Sequence, residues 1–225
     1  MATLSPLNAI VDEEVAARSG WTVPALAREY LAGGARFLQV RAKRAASGDY
    51  LRMCEEVVGL GREAGAIVIV NDRADIARLA GASGVHVGQE DLWPAAVRAI
   101  VGGAAIVGLS THTVDQVRAA RDEPVDYLGV GPVFGSLTKD TGYGAAGLDL
   151  VRQAAQAASE AGGGGAVRPI VAIGGITLER VTSVIEAGAA SVAVISDLLE
   201  TGDPAGRVRA YLDALGAPET RRRLV

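Results

Sequence analysis

Short apolar runs alternate along this chain with longer stretches in which apolar residues recur every three or four positions. The runs Ala9 to Val11, Phe37 to Val40, Ala66 to Val70, Gly84 to Val87, Ala105 to Leu109, Tyr127 to Val130, Ile170 to Ile173 and Ser191 to Ile195 read as strands. The stretches between them, among them Tyr50 to Ala64, Thr113 to Ala120, Leu148 to Ala161 and Leu178 to Ala187, carry helical spacing. So many alternations of strand and helix in a domain-sized chain predict a closed (β/α)8 TIM barrel rather than an open doubly wound sheet. No composition break marks a second unit, so residues 1–225 are expected to form a single domain with its core at about 7–215. Gly162 to Gly165 reads as a joint between a helix and the next strand on the stability face, and Arg221 to Arg223 as a short, solvated basic tail.

Composition narrows the class further. Hydrophobic residues make up 49% of the chain but aromatic ones only 4%, so Ala, Val, Leu and Ile must build the core. That favours helices packed on parallel strands over a β-sandwich. A formal net charge of -4 argues against nucleic acid as a bulk partner. The single cysteine, Cys54, excludes an intramolecular disulfide and suits a reducing compartment. Met1 to Ala9 lacks a charged start followed by an apolar stretch, and no run approaches membrane-spanning length. The expectation is a soluble, cytoplasmic protein acting on small molecules, with no membrane partner; the sequence permits a homo-oligomer.

The run Phe37 to Lys43 carries the first chemical signal. Side chains two apart share a face of a strand, so Leu38, Val40 and Ala42 pack outward while Gln39, Arg41 and Lys43 point the other way. Two buried cations with no nearby acid imply an anion, and Arg and Lys are the usual holders of phosphate oxygens. An edge strand with one wet face would give the same alternation.

In a barrel, function collects just beyond the strand ends, and the unusual polar residues fall there. They are Asn71 and Asp72, Gly88 to Asp91, Ser110 to His112, Gly131 and Pro132 with Ser136, Thr138 and Lys139, Gly174 and Gly175, and Ser196. Asp72, Asp91, Thr113 and Thr177 each precede a helix, where capping is the ordinary reading. Asp72 and Asp91 also stand on neighbouring strand ends, and two carboxylates completed by substrate phosphates and water form the usual Mg2+ arrangement. His86 has inward parity and reads either as a ligand contact or as a hydrogen-bonded wall residue; His112 reads as a loop residue without a role. Ala172 to Thr177 runs from a strand through two glycines into a helix start. With Ile195 and Ser196 it matches a barrel phosphate site built from backbone N–H groups. Two anion sites are therefore expected, a cationic one with metal at the second to fourth strands and a backbone one at the seventh and eighth.

From about Ala9 to Leu215 the chain resembles the thiamine-phosphate synthase (thiamine-phosphate pyrophosphorylase) family. The likeness rests on LQVRAK at Leu38 to Lys43, VNDRADIA at Val70 to Ala77, GVHVGQEDL at Gly84 to Leu92, GLSTHT at Gly108 to Thr113, DYLGVGPVFGSLTK at Asp126 to Lys139 and VAIGGIT at Val171 to Thr177. The resemblance implies a (β/α)8 barrel that joins hydroxymethylpyrimidine diphosphate to hydroxyethylthiazole phosphate, releasing pyrophosphate with Mg2+ as cofactor. It implies pyrimidine and diphosphate contacts at Gln39, Arg41, Lys43, Asn71, Ser110 and Lys139, with Arg41, Lys43 and Lys139 catalytic. It implies Mg2+ ligands at Asp72 and Asp91, and thiazole-phosphate contacts at Ser136, Thr138, Gly175, Ile195 and Ser196. Ser136 stands where a Thr is frequent in the family, and Asn8 where a Tyr is. The related thiazole tautomerases differ around the metal acids and after Gly131, whereas GQED and Pro132 are both present here, which favours the synthase. A tautomerase-like isomerase and a non-catalytic binder of thiazole or thiamine phosphate are the alternatives. The loop Gly135 to Gly147 is expected to act as a lid over a reactive cation.

Overall fold

The computed structural model describes residues 4–135, 144–160 and 167–216. Eight parallel strands close into a barrel in chain order: β1 (Leu7–Asp12), β2 (Phe37–Arg41), β3 (Ile67–Asn71), β4 (Gly84–Val87), β5 (Ile106–Thr111), β6 (Tyr127–Val130), β7 (Ile170–Ile173) and β8 (Ser191–Val194), with β8 returning to β1. The helices are α1 (Glu13–Arg18) and α2 (Val23–Ala32) after β1, then α3 (Ser47–Glu63), α4 (Ala74–Leu79), α5 (Pro94–Val101), α6 (Val114–Ala119), α7 (Gly147–Ser159), α8 (Val181–Glu186) and α9 (Pro204–Ala214). All eight expected strands are present. The expected helix Leu178 to Ala187 is instead a 3-10 turn, Leu178–Arg180, followed by the short α8.

Several strands run further than their apolar runs. β1 reaches Asp12, β3 reaches Asn71 and β5 reaches Thr111, so residues read as lying beyond the strands belong to them. Their backbones still pair, with Asp12 opposite Arg41, Asn71 opposite His86 and Thr111 opposite Val130. Asp12 and Asn71 share the inward parity of Ile10 and Ile69, at the end where ligands enter; Thr111 has the outward parity of Val107 and Leu109, and its hydroxyl donates to the Gly129 carbonyl at 3.0 Å.

The main core lies between sheet and helices, where Leu38, Val40 and Ala42 pack as their parity predicts. A second cluster of Ile10, Phe37, Ile69, Tyr127, Val171 and Ala193 fills the barrel itself. Phe37 meets Tyr127 edge to face at 5.9 Å between ring centroids. With so few aromatic side chains, this interior pair plugs the barrel below the site.

Capping falls differently from expectation. Thr113 caps α6, accepting from the Gln116 amide at 3.2 Å. Thr177 occupies the cap position of the 3-10 turn without a side-chain cap bond. Asp72 and Asp91 cap nothing, since the cap positions of α4 and α5 are Arg73 and Trp93. Both acids are thereby left for other work.

Candidate active site

Gln39 is buried and Arg41 nearly so, and both line a cavity in the barrel mouth of about 420 Å³. The expectation that the cations of this run have no nearby acid is overturned. Arg41 pairs through Nη1 with the buried Asp12 carboxylate, directly opposite on β1. Asp12 uses its other oxygen to accept from the Val15 amide at 3.0 Å, capping α1. One acid thus fixes both a helix start and a guanidinium. Arg41 Nε remains buried and without a protein partner. Lys43 lies past the strand in a turn, is 46% exposed, and places its ammonium 3.1 Å from Asp72. It is a rim cation, not a buried one.

Asp72 is the one non-glycine with positive φ among the described residues, at 65°. Its amide donates to the His86 carbonyl at 2.7 Å, and the Arg73 amide donates back to the Asn71 carbonyl at 2.8 Å. The result is a three-residue turn that projects Asp72 over the mouth. Such conformations cost energy and persist where the surroundings hold them, most often at functional sites. Behind the turn, the Tyr50 hydroxyl bridges the ends of β2 and β3. It meets the Val40 and Asn71 carbonyls at 2.9 and 3.0 Å and accepts from the Asn71 amide at 3.1 Å.

Burial pushes the Asp72 carboxyl up, the Asp91 charge pushes it further, and Lys43 offsets part of the rise. Asp91 is itself aimed by the Gly88 amide, which donates to its Oδ2 at 2.7 Å. Two acids that crowd each other, one held in a strained turn, fit a hard divalent cation. Among the described residues no group of three or more potential metal ligands exists. Asp72 and Asp91 are the residues here that could hold such a cation, with ligands from outside the protein completing its shell.

Deeper in the same cavity, His86 links two strands. Its Nδ1 lies 3.0 Å from the Tyr127 hydroxyl and its Nε2 2.8 Å from the Ser110 hydroxyl. Burial, then the charge of Asp126, raises the Tyr127 pKa, so the phenol stays protonated. With its proton on Nε2 the ring donates to Ser110 and accepts from Tyr127; with its proton on Nδ1 the two roles reverse. Gly108 makes this packing feasible, since a Cβ there would stand 2.1 Å from the Tyr127 ring. Gln89, which sequence reasoning assigned no task, donates to the Ser110 carbonyl at 2.6 Å. Asn71 and Asn8 complete the polar wall, and Asn8 Oδ1 is buried without a partner.

A second, larger cavity of about 590 Å³ adjoins the first and shares Ser110, Gly129, Ile173, Ala193 and Ile195 with it. Its far end is formed by Gly174, Gly175, Ser196 and Asp197. Gly175 has φ 61° and lies so close to the loop after β6 that a Cβ would stand 2.3 Å from the Gly135 carbonyl. His112, expected to be a bare loop residue, also lines this cavity and meets the Gly131 carbonyl through Nδ1 at 2.5 Å. Of the expected site residues, Gln39, Arg41, Asn71 and Ser110 share the smaller cavity, and Gly175, Ile195 and Ser196 the larger. Ser136, Thr138 and Lys139 lie outside the described residues, as do most of the expected lid, Gly162 to Gly165 and the Arg221 to Arg223 tail.

Fold and site together define a (β/α)8 barrel with two adjoining cavities at the C-terminal end of its strands. The family model described as thiamine monophosphate synthase matches residues 7–198, and the chain belongs to that family. It is 42% identical over 196 residues to a thiamine-phosphate synthase of Acidothermus cellulolyticus, covering 87% of this chain and 89% of the relative. It is 43% identical over 195 residues to a thiamine biosynthesis bifunctional protein of Symbiobacterium thermophilum. There the match covers 87% of this chain but spans only 39% of the larger protein. Among solved structures, the thiamine phosphate pyrophosphorylase from Pyrococcus furiosus superposes with a TM-score of 0.78 at 27% identity, covering 93% of this chain and 95% of the other. Among the described residues no helix is long and apolar enough to cross a membrane.

Proposed function

We propose that this chain is a thiamine-phosphate synthase that joins hydroxymethylpyrimidine diphosphate to hydroxyethylthiazole phosphate, releasing pyrophosphate with Mg2+. The observation that carries the reading is the pair of adjoining cavities. One is lined by Gln39, Arg41, Asn71 and Ser110 under the rim residues Lys43, Asp72 and Asp91, and the other ends at Gly174, Gly175 and Ser196. The C–O bond from the pyrimidine methylene to the diphosphate breaks, the electron pair leaves with pyrophosphate, and the thiazole ring nitrogen supplies the pair for the new C–N bond. No proton is transferred, so the site needs no general base.

Arg41 and Lys43 offset charge gathering on the leaving oxygens, with Asp12 and Asp72 setting where those cations stand. Asp72 and Asp91 would hold Mg2+, which would supply electrostatic stabilisation of the leaving group. Gln39, Asn71 and the Ser110 hydroxyl orient the pyrimidine ring. The backbone around Gly175 and Ser196 holds the thiazole by its phosphate, which brings its ring nitrogen to the shared wall at Ser110 and Gly129. The test is incubation of the purified protein with both phosphorylated halves and Mg2+. Formation of thiamine phosphate and an equal amount of pyrophosphate is expected; isomerised thiazole alone, or binding without turnover, overturns the reading.

A further inference from the structure

Next to Ser196, in the lining of the larger cavity, stands a group of the wrong sign for a phosphate. Asp197 lines that cavity and its side chain is only 13% exposed. Its Oδ2 accepts from Arg207 Nε at 3.1 Å, from Arg207 Nη2 at 2.8 Å and from the Tyr211 hydroxyl at 2.5 Å. Arg207, on α9, is equally buried and also reaches the Asp197 carbonyl at 3.3 Å. The Tyr211 hydroxyl lies 3.3 Å from the carbonyl of Ile176, the residue after Gly175. One buried cluster therefore ties both loops of the phosphate end, one after β7 and one after β8, to the same helix.

We propose, building on the function proposed above, that Arg207 and Asp197 are positioning residues for the thiazole phosphate. Arg207 neutralises the carboxylate of the residue beside Ser196 and fixes the turn that presents Ser196. The carboxylate in turn holds Arg207 back from the cavity, so the phosphate meets backbone and hydroxyl donors rather than a bare cation. A buried charge left without its partner acts strongly on a neighbouring charge, and this gives the pair opposite signatures. Arg207→Met exposes the phosphate to an unpaired carboxylate. Asp197→Asn keeps an acceptor oxygen for Arg207 and Tyr211 while removing the negative charge.

The test is calorimetric titration of the full chain with hydroxyethylthiazole phosphate, alongside steady-state KM for both substrates and a thermal melt. Arg207→Met is expected to weaken thiazole-phosphate binding on the order of tenfold or more and to leave the pyrimidine diphosphate KM within about twofold. Asp197→Asn is expected to tighten thiazole-phosphate binding, and Asp197→Asn/Arg207→Met to recover most of the affinity lost by Arg207→Met. A merely structural cluster would lower the melting temperature in all three variants and shift both substrates together. That pattern, or a double variant no better than Arg207→Met, overturns the proposal. Should Arg207→Met not fold, weaker binding by Asp197→Asn overturns it alone. A wild-type protein that binds hydroxyethylthiazole phosphate but makes no thiamine phosphate refutes the proposed activity, and the same titrations still decide the role of the pair. A wild type that does not bind it overturns both.

Discussion

Asp12 holds the N-terminus of α1 with one carboxylate oxygen and Arg41 with the other, so the first helix and the first anion-binding cation share a single anchor. Removing that anchor leaves a nearly buried guanidinium without its acid and a helix without its cap. Asp12→Ala is therefore expected to destabilise the protein by roughly 3 kcal/mol or more. Asp12→Asn should cost less, because Asn is an equally good cap and still accepts from Arg41. Chemical denaturation of both variants checks the order, and equal losses would show that the cap contributes nothing.

Activity is expected to require a divalent cation, with Asp72→Asn lowering kcat on the order of 100-fold, or about 2.7 kcal/mol of barrier. Stability should move the other way. Because burial and Asp91 raise the Asp72 pKa in the folded chain, the ionised carboxylate destabilises the cation-free fold. That cost is present above the folded pKa and is relieved as pH falls through it towards the unfolded value. Cation-free Asp72→Asn should lack this dependence and melt a few degrees higher near neutral pH; Asn also tolerates the positive φ. Melts with and without Mg2+ across pH, paired with turnover, decide this, and full turnover in excess chelator would remove the metal from the mechanism.

The barrel was legible in the sequence because parallel strands buried on both faces leave continuous apolar runs, and Leu38, Val40 and Ala42 announce their face by parity. The partners of the site residues were not. Asp12 follows an apolar run as any helix cap might, and nothing in the local pattern shows that closing the barrel sets it opposite Arg41. The link from Tyr127 through His86 to Ser110 joins three strands, and the contact of Asp197 with Arg207 joins a loop to a helix ten residues on. Such contacts depend on register, which strand spacing does not encode. Asp72 read as a cap because its residue type suits both caps and positive-φ turns, and only the backbone distinguishes them.

Ser196→Ala should separate the two anion sites. The loss of one neutral donor among several is expected to weaken thiazole-phosphate binding by roughly 1 kcal/mol, leaving pyrimidine diphosphate affinity nearly unchanged. Arg41→Met should do the reverse, raising the pyrimidine diphosphate KM while the affinity for thiazole phosphate holds. Titration of each variant with each substrate is the check, and a crossed pattern would mean that the compartments are exchanged.

Gly175 and Gly202 provide a matched comparison. Both have positive φ, 61° and 73°, so alanine at either incurs the same conformational penalty, on the order of 1 kcal/mol. They differ in what surrounds them. A Cβ at Gly202 meets nothing within 4 Å, whereas one at Gly175 would stand 2.3 Å from the Gly135 carbonyl and 3.1 Å from Phe134. Arg180, which lies 4.9 Å over the Phe134 ring and donates to the Gly175 carbonyl at 3.3 Å, braces this contact from outside. Gly175→Ala must therefore push the loops after β6 and β7 apart, adding roughly 1–3 kcal/mol of overpacking and disturbing the phosphate end of the larger cavity. The expected outcome is a larger stability loss than for Gly202→Ala, together with a raised thiazole-phosphate KM that Gly202→Ala does not show. Equal melting temperatures with unchanged kinetics in both variants would mean that these loops do not need their close approach, and that Gly175 serves the turn alone.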